Sequence, residues 1–278
     1  MNLIIQAYSA ISPVHLSHIS QLTASATATA LSAHAYRFPA AQPHPELADY
    51  CLTNQLDMAF IPAGKKLADF GLVVMDMDST LITIECIDEI ADMQGLKPQV
   101  ASITAAAMRG ELDFAESLRR RVALLAGLDE RVLQRVYEER LKLTPGTETM
   151  LATLQMHGIK TLLVSGGFVY FTERLKQRLG LDYAHANTLE VVHGKLTGKV
   201  VGDIVDAQAK ADWLTKTRDA LELSPEQVIA IGDGANDLKM MSAAGVGIAF
   251  HAKPIVRAQA SYALNFVGLD GLLNFYVH

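Results

Sequence analysis

The sequence has little of what marks several large classes of protein. It contains only two cysteines in 278 residues, Cys51 and Cys86, too few for the disulfide framework of a small secreted protein. No stretch approaches the roughly 20 apolar residues of a membrane-spanning helix. No basic segment precedes the short apolar run at the N-terminus, as a signal peptide would require. These absences predict a protein of a reducing compartment, with the cytoplasm as its expected location.

Positive charge is also scarce. The chain has 24 Lys and Arg residues against 30 Asp and Glu residues, a formal net charge of −6, and therefore lacks the basic surface that binds nucleic acids or anionic membranes. Half of the residues are hydrophobic and 19% are charged, as is ordinary for a globular chain with a sizeable core. We expect neither a nucleic-acid nor a membrane partner, and a homodimer stays open as the oligomeric state.

The chain divides near residue 68 into a short and a long part. Residues 1–68 predict a small α+β domain. In residues 69–278, short apolar runs alternate with helical stretches, the pattern of βαβ units and a parallel sheet. Residues 84–143 interrupt that pattern with helix signals alone and predict an inserted helical cap. The expected fold class is α/β, with a Rossmann-like parallel-sheet core, the cap and the N-terminal α+β domain.

Three of the apolar runs, LVVM, TLLV and VIAI, end directly in polar residues or glycine. In chain order, the residues that follow them are Asp76 and Asp78, then Ser165 and Gly166, then Asp233, Asn236 and Asp237. Ligands of an open parallel sheet bind beyond the carboxyl ends of its strands. The three segments are therefore expected to meet at one edge of the sheet and to form an active site.

The chemistry of these residues suits a phosphate group and a metal ion. Four carboxylates in a small volume repel one another unless a cation neutralises them, and Mg²⁺ commonly binds few carboxylates together with phosphate oxygens. The Ser-Gly-Gly turn at residues 165–167 offers a hydroxyl and unhindered backbone N–H groups to a phosphate. A lysine would balance a phosphoryl group in transfer. Lys210 is the candidate, although periodicity alone does not select it over Lys239.

The same residues carry a family resemblance. The strings MDMDSTL, LLVSGGF and IGDGANDLKMM, together with Lys210, resemble in order and spacing the four motifs of the haloacid dehalogenase (HAD) superfamily of phosphohydrolases. The resemblance covers essentially residues 70–250. The combination of DMDST-x4-E, FAESLRRRV, VSGGF and GDGAND is similar to the branch that hydrolyses O-phospho-L-serine, a small-molecule substrate. Residues 1–68 carry little of the resemblance; related enzymes often have an ACT-like domain there.

The resemblance implies roles for the residues at the metal. Asp76 would attack phosphorus and form an aspartyl-phosphate, which replaces one difficult displacement by two easier ones. Asp78 would protonate the seryl leaving oxygen and then deprotonate the attacking water. The side chains of Asp76 and Asp233 and the backbone carbonyl of Asp78 would bind Mg²⁺, with Asp237 orienting its water shell.

The resemblance also implies how the substrate would be held. Ser165 and Gly166 would bind the phosphate, and Lys210 and Asn236 would bridge to it. Two residues of the cap would recognise the amino-acid part. Glu85 would meet the substrate ammonium, and Arg121 would grip the carboxylate with its planar guanidinium group.

Several of these residues also have a purely structural interpretation. Asp76 and Asp78 could be turn residues after a strand, and Asp237 could N-cap the helix that follows it. Lys210 could pair with the aspartate one turn earlier on a solvated helix face. Glu85 could be an acid favoured by the dipole of a helix N-terminus.

Two other functions stay open at this level. A HAD phosphatase or phosphotransferase acting on another small phosphomonoester would share the core motifs, because fold and core do not fix the substrate. A regulatory protein would instead use residues 1–68 to sense an amino acid. The apparent catalytic residues are all present, which favours an enzyme over that second alternative.

Overall fold

The fold is described from a computed structural model, which covers residues 1–277. The strands are β1 (Asn2–Gln6), β2 (Thr29–Ser32), β3 (Ala35–Phe38), β4 (Asp57–Ile61), β5 (Leu72–Met75), β6 (Lys160–Phe168), β7 (Tyr183–Val192), β8 (Lys195–Val201), β9 (Val228–Gly232), β10 (Val246–Phe250) and β11 (Tyr262–Leu264). The helices are α1 (Pro13–Leu22), α2 (Leu47–Thr53), α3 (Cys86–Asp92), α4 (Lys97–Met108), α5 (Phe114–Ala123), α6 (Arg131–Glu139), α7 (Thr147–Met156), α8 (Val169–Leu179), α9 (Ala207–Ala220), α10 (Leu238–Ala243) and α11 (Pro254–Arg257). None of them is long and apolar enough to span a membrane.

The larger sheet has seven strands in the order β11-β10-β9-β5-β6-β7-β8. Its neighbouring strands pair in parallel, except that β7 and β8 form an antiparallel pair. Strand β5 is central and its four residues are fully buried. A strand covered on both faces needs apolar side chains at every position, which is why LVVM is a continuous apolar run. The expected α/β fold class with a mainly parallel sheet is confirmed.

Helices cover both faces of this sheet. On one face Val73 and Met75 pack with side chains of α7 and α8, among them Leu154 and Phe171. On the other face Val74 packs with α9 and α10 in a second hydrophobic cluster. The alternation of β5 side chains between the two clusters follows from the period of two residues in a strand. The sheet is thereby covered on both faces, and its strand ends are free to carry a site.

Helices α3 to α6 form a helical layer beyond the carboxyl end of β5. The chain enters and leaves this layer through two segments that pair, at Ile82 and Leu143. Thr83 N donates to Lys142 O over 3.0 Å, and Thr144 N donates to Leu81 O over 3.0 Å. Leu118, Val122, Val132 and Val136 are among its buried residues, spaced as amphipathic helices require. We call this layer, residues 84–143, the cap.

The first four strands form a separate antiparallel sheet in the order β2-β3-β1-β4. Its own hydrophobic cluster includes residues of α1 and α2, so the expected small α+β unit is present. Ile4, Ala59 and Ile61 of this sheet pack into the hydrophobic core of the rest of the chain, and the fully buried Asp57 makes a further contact with it. The Asp57 carboxylate accepts hydrogen bonds from the backbone N–H groups of Asn265, Phe266 and Val267 and from the Asn265 side chain, at 2.7–3.2 Å.

Candidate active site

The predicted site residues lie at the carboxyl ends of three neighbouring strands. Strand β5 pairs with both β6 and β9, so the segments that follow these strands meet. A cavity of about 360 Å³ lies between them and the cap. The predicted residues that line it are Asp76, Asp78, Glu85, Arg121, Ser165, Gly166, Asp233 and Asn236. The other two, Lys210 and Asp237, are buried beneath it, with relative exposures of 1% and 0%.

Lys210 joins two of the carboxylates beneath the cavity. Its Nζ lies 2.8 Å from Asp76 Oδ1 and 2.8 Å from Asp237 Oδ1. Burial opposes the charge of Lys210, yet the carboxylates of Asp237 and Asp76 raise its pKa overall. Burial, followed by the charge of Asp237, also raises the pKa of Asp76 well above its usual range.

Two structural interpretations from the sequence do not describe this arrangement. The side chain of Asp206 caps α9 by accepting from the N–H groups of Gln208 and Ala209, whereas the Lys210 ammonium points to the other two aspartates. Asp237 makes no side-chain cap bond to α10. Its Oδ2 instead accepts from Gly234 N at 3.0 Å. Asp237 thus stands at the N-cap position of α10, where its side chain caps the short 3-10 helix 235–237, and it shares the buried charge cluster with Lys210.

The carboxylates beside Lys210 form a set of oxygen donors suited to a metal ion. One oxygen from each of Asp76, Asp233 and Asp237 lies within 4.8 Å of the others. Burial and the charge of Asp237 raise the pKa of Asp233 to about 7. Three carboxylates face one ammonium here, so negative charge remains uncompensated when all are ionised. Hard divalent cations prefer such oxygen donors, and the acidic cluster can bind one.

Asp78 occupies a different environment from its neighbour Asp76. The chain turns sharply after β5, with Ser79 at φ 55°, and the turn directs Asp78 toward the cap. Asp78 Oδ1 accepts from Cys86 N at 3.1 Å. Burial, together with the charge of Glu85, raises the pKa of Asp78 to about 7. A carboxyl with this pKa can both donate and accept a proton near neutral pH.

The glycines after Ser165 are required by close approach. A Cβ at Gly166 would lie 2.7 Å from Cζ of Phe114, and one at Gly167 would lie 2.7 Å from Asp78 Oδ2. The fully buried Ser165 accepts from Gly167 N through its Oγ at 2.8 Å. Glycine at these two positions leaves room for the ring of Phe114 on one side and for the Asp78 carboxyl on the other.

The cap contributes one acidic and one basic side chain. Glu85 Oε1 accepts from Ser79 Oγ at 2.7 Å, and no side-chain bond from Glu85 caps α3. Burial raises the pKa of Glu85 and lowers that of Arg121. Arg121 forms no ion pair within 4.0 Å with a carboxylate of residues 1–277; its Nε donates to Ser117 O at 3.4 Å. Its guanidinium group is thus available to an anion in the cavity.

Sequence reasoning missed the contribution of α4. Thr104, Ala107 and Met108 line the cavity, at the spacing of one helix face. The Thr104 hydroxyl is buried and has no hydrogen-bond partner among residues 1–277. The segment SITAAAM is rich in alanine, and nothing in its pattern separates a cavity-lining threonine from one that packs inside the cap.

Comparison with known proteins agrees with this geometry. The model of the haloacid dehalogenase-like hydrolases matches residues 73–242, a range that holds all ten predicted site residues. The chain belongs to this family of hydrolases.

Three proteins to which the chain is similar are phosphoserine phosphatases, one of them a probable one. The phosphoserine phosphatase of a Polaromonas species is 54% identical over 213 residues, which are 75% of this chain and 90% of the relative. The structure of a probable phosphoserine phosphatase from Vibrio cholerae, in an unliganded form, is 41% identical with a TM-score of 0.86, over 99% of this chain and 85% of that one. A phosphoserine phosphatase holding an analogue of a phospho-aspartyl intermediate is 40% identical with a TM-score of 0.70, over 75% of this chain and 99% of that one.

Proposed function

We propose that this protein hydrolyses O-phospho-L-serine to L-serine and phosphate through an aspartyl-phosphate, the last step of L-serine biosynthesis. One observation carries the proposal. A single cavity has a pair of differently held carboxyls, Asp76 and Asp78, on the core side and an acid and a base, Glu85 and Arg121, on the cap side. The phosphoserine phosphatases among its relatives support the same substrate.

In the first step, Asp76 attacks phosphorus. A new bond forms between an Asp76 oxygen and phosphorus while the bond from phosphorus to the seryl oxygen breaks. Asp78, protonated at the start, gives its proton to that leaving oxygen. The contact between Lys210 and Asp76 Oδ1 at 2.8 Å holds the attacking carboxylate in one rotamer and favours its ionised form.

In the second step, water attacks phosphorus and the bond to Asp76 breaks. Asp78 now takes the proton from the water, which returns both carboxyls to their starting state. A pKa of about 7 suits Asp78 to both directions of proton transfer. Asp76 is instead held beside Lys210. The two environments support the proposal that Asp76 is the nucleophile and Asp78 the acid and base.

Mg²⁺ is the proposed metal, held by Asp76, Asp233 and the backbone carbonyl of Asp78, with Asp237 beside them. The oxygen donors from Asp76, Asp233 and Asp237 already lie within 4.8 Å of one another. When bound, the ion supplies positive charge against the phosphoryl oxygens. Ser165, the Gly166 N–H, Lys210 and Asn236 bind the remaining phosphate oxygens.

Selection for an amino acid is assigned to the cap. Glu85 Oε1 is already bonded to Ser79, which leaves Oε2 free for the substrate ammonium. Arg121 has no carboxylate partner within the described chain and donates two hydrogen bonds to the substrate carboxylate.

The setting of the enzyme completes the proposal. We place it in the cytoplasm, consistent with two buried free thiols, Cys51 and Cys86. We divide the chain at residue 68, between the two sheets, with the cap at residues 84–143. A homodimer stays a prediction, and light scattering coupled to size-exclusion chromatography measures it directly.

The test is phosphate release with Mg²⁺ or with EDTA, from O-phospho-L-serine, 2-phosphoglycolate and 3-phosphoglycerate. The last two keep the phosphate and the carboxylate but lack the ammonium. We expect metal-dependent turnover with a strong preference for phosphoserine. Metal-dependent turnover without that preference would retain the HAD chemistry and refute the assigned substrate.

A further inference from the structure

The cap side of the cavity carries a hydroxyl that the proposed mechanism does not use. Thr104 lies on α4, and Arg121 lies on α5, which packs against α4. Both side chains line the cavity. The Thr104 Oγ1 atom is buried and lacks a hydrogen-bond partner among the described residues.

Such a hydroxyl is unusual in a folded protein. Buried polar atoms almost always have a partner, and a threonine within a helix can usually bond the carbonyl four residues earlier. Valine would fill nearly the same volume without a polar atom that needs a partner. A buried, unpaired hydroxyl at the wall of a substrate cavity therefore indicates that the missing partner enters with the substrate.

The charges around the cavity indicate which part of the substrate this is. Asp76 and Asp233 place negative charge on the core side, and Glu85 places it at the start of α3. Arg121 is the one basic side chain among the lining residues. The substrate carboxylate is therefore oriented toward α5 and the adjoining α4. A carboxylate has about four acceptor sites, and a bidentate arginine occupies two of them.

We propose that the Thr104 hydroxyl donates a hydrogen bond to the substrate carboxylate that Arg121 binds. Thr104 then helps to select phosphomonoesters that carry a carboxylate. This inference rests on the proposed function, which it deepens by naming a further substrate-binding residue.

The test compares Thr104→Val, which removes the hydroxyl at nearly constant shape, with Thr104→Ser, which keeps it. Ser102→Val is the matched control, because Ser102 is exposed on the same helix. The substrates are O-phospho-L-serine and O-phosphoethanolamine, which keeps the ammonium but lacks the carboxylate. A poorly hydrolysed substrate is measured as a competitive inhibitor. Thermal unfolding of each unliganded variant is followed in parallel.

We expect Thr104→Val to raise the KM for phosphoserine about tenfold, the loss of one hydrogen bond to a charged group, with kcat little changed. Thr104→Ser should restore the KM. The KM or inhibition constant of phosphoethanolamine should not change. The unliganded Tm of Thr104→Val should equal or exceed that of the wild type, because a polar atom without a partner has been removed.

Three results would overturn the inference. An equal loss with phosphoethanolamine would assign the effect to the shape of the cavity or to the ammonium. An unchanged KM for phosphoserine in an active Thr104→Val enzyme would remove the hydrogen bond altogether. A clear fall in the unliganded Tm would show that the hydroxyl has a partner within the protein. A wild-type protein inactive on phosphoserine would instead refute the proposed function itself, before any variant is compared.

Discussion

Replacing Lys210 by methionine tests the charge cluster beneath the cavity. Methionine keeps the length of the apolar stem but removes the ammonium, which lies 2.8 Å from Asp76 Oδ1 and from Asp237 Oδ1. The two carboxylates then remain buried, close to Asp233 and without a cation. Lys210→Met should therefore destabilise the metal-free protein strongly, even though it makes a buried position more apolar.

The size of this destabilisation follows from two opposing free energies, the Coulomb attraction between the charges and the cost of desolvating them. Each contact at 2.8 Å contributes roughly 6 kcal/mol of Coulomb energy at an effective dielectric constant near 20. Desolvating the three ions offsets most of this energy. Removing one partner from a buried pair typically costs about 3–5 kcal/mol, because the other charge is left uncompensated. For a chain of this size such a loss corresponds to a fall in Tm of roughly 6–20 °C.

The assay is urea unfolding in EDTA at pH 8 and at pH 5.5. The loss should be largest at pH 8, because at pH 5.5 the orphaned carboxyls take up protons and lose their charge. Lys239→Met is the control, since Lys239 is exposed at the second residue of α10 and should tolerate the change. Adding Asp237→Asn to Lys210→Met should recover part of the stability. If Lys210→Met unfolds at the same urea concentration as Lys239→Met at pH 8, Lys210 does not form buried ion pairs with Asp76 and Asp237.

Three further predictions concern the reaction and the metal. Asp76→Asn should reduce turnover below about a thousandth of wild type while leaving circular dichroism unchanged; substantial phosphate release would exclude Asp76 as the nucleophile. Arg121→Ala should reduce transition-state stabilisation of phosphoserine, measured from kcat/KM, by about 1.5–3 kcal/mol and should leave kcat/KM for phosphoethanolamine unchanged. Equal losses for both substrates would show that Arg121 does not bind the carboxylate. Without metal, the pKa values of Asp78 and Asp233 are about 7 in the folded protein and near 3.9 in the unfolded protein. Between these two pH values the folded protein therefore binds more protons than the unfolded protein. Its stability in EDTA should fall as pH rises from about 4 to 7, and Mg²⁺ should remove the fall; stability that rises with pH in EDTA would contradict this.

The fold class and the meeting of the three strand ends could be predicted because both follow from local patterns. Apolar runs such as LVVM need two covered faces, and a parallel sheet necessarily brings the ends of its strands to one edge. The types of residue after each run then restrict the chemistry. This reasoning needs no knowledge of any distance.

Other features depend on packing between distant segments. Periodicity could not choose Lys210 over Lys239, because the choice depends on which faces of α9 and α10 are buried against the sheet. Thr104 gave no signal in an alanine-rich helix, since its significance lies in a partner that it lacks. The attachment of the N-terminal sheet was not predicted either, because no pattern around Asp57 indicates that backbone N–H groups of residues 265–267 donate hydrogen bonds to it.

That attachment bears on how the chain folds during synthesis. Asp57 leaves the ribosome long before Asn265, which is 208 positions further on. Until then the N-terminal sheet can assemble its own core, but a carboxylate that ends fully buried must stay hydrated, and the contact between β4 and β11 cannot form. The backbone pairing of Lys66 with Val277 waits longer still. The first strands to be made are thus fixed in place by the last, a long-range closure of the kind that slows folding.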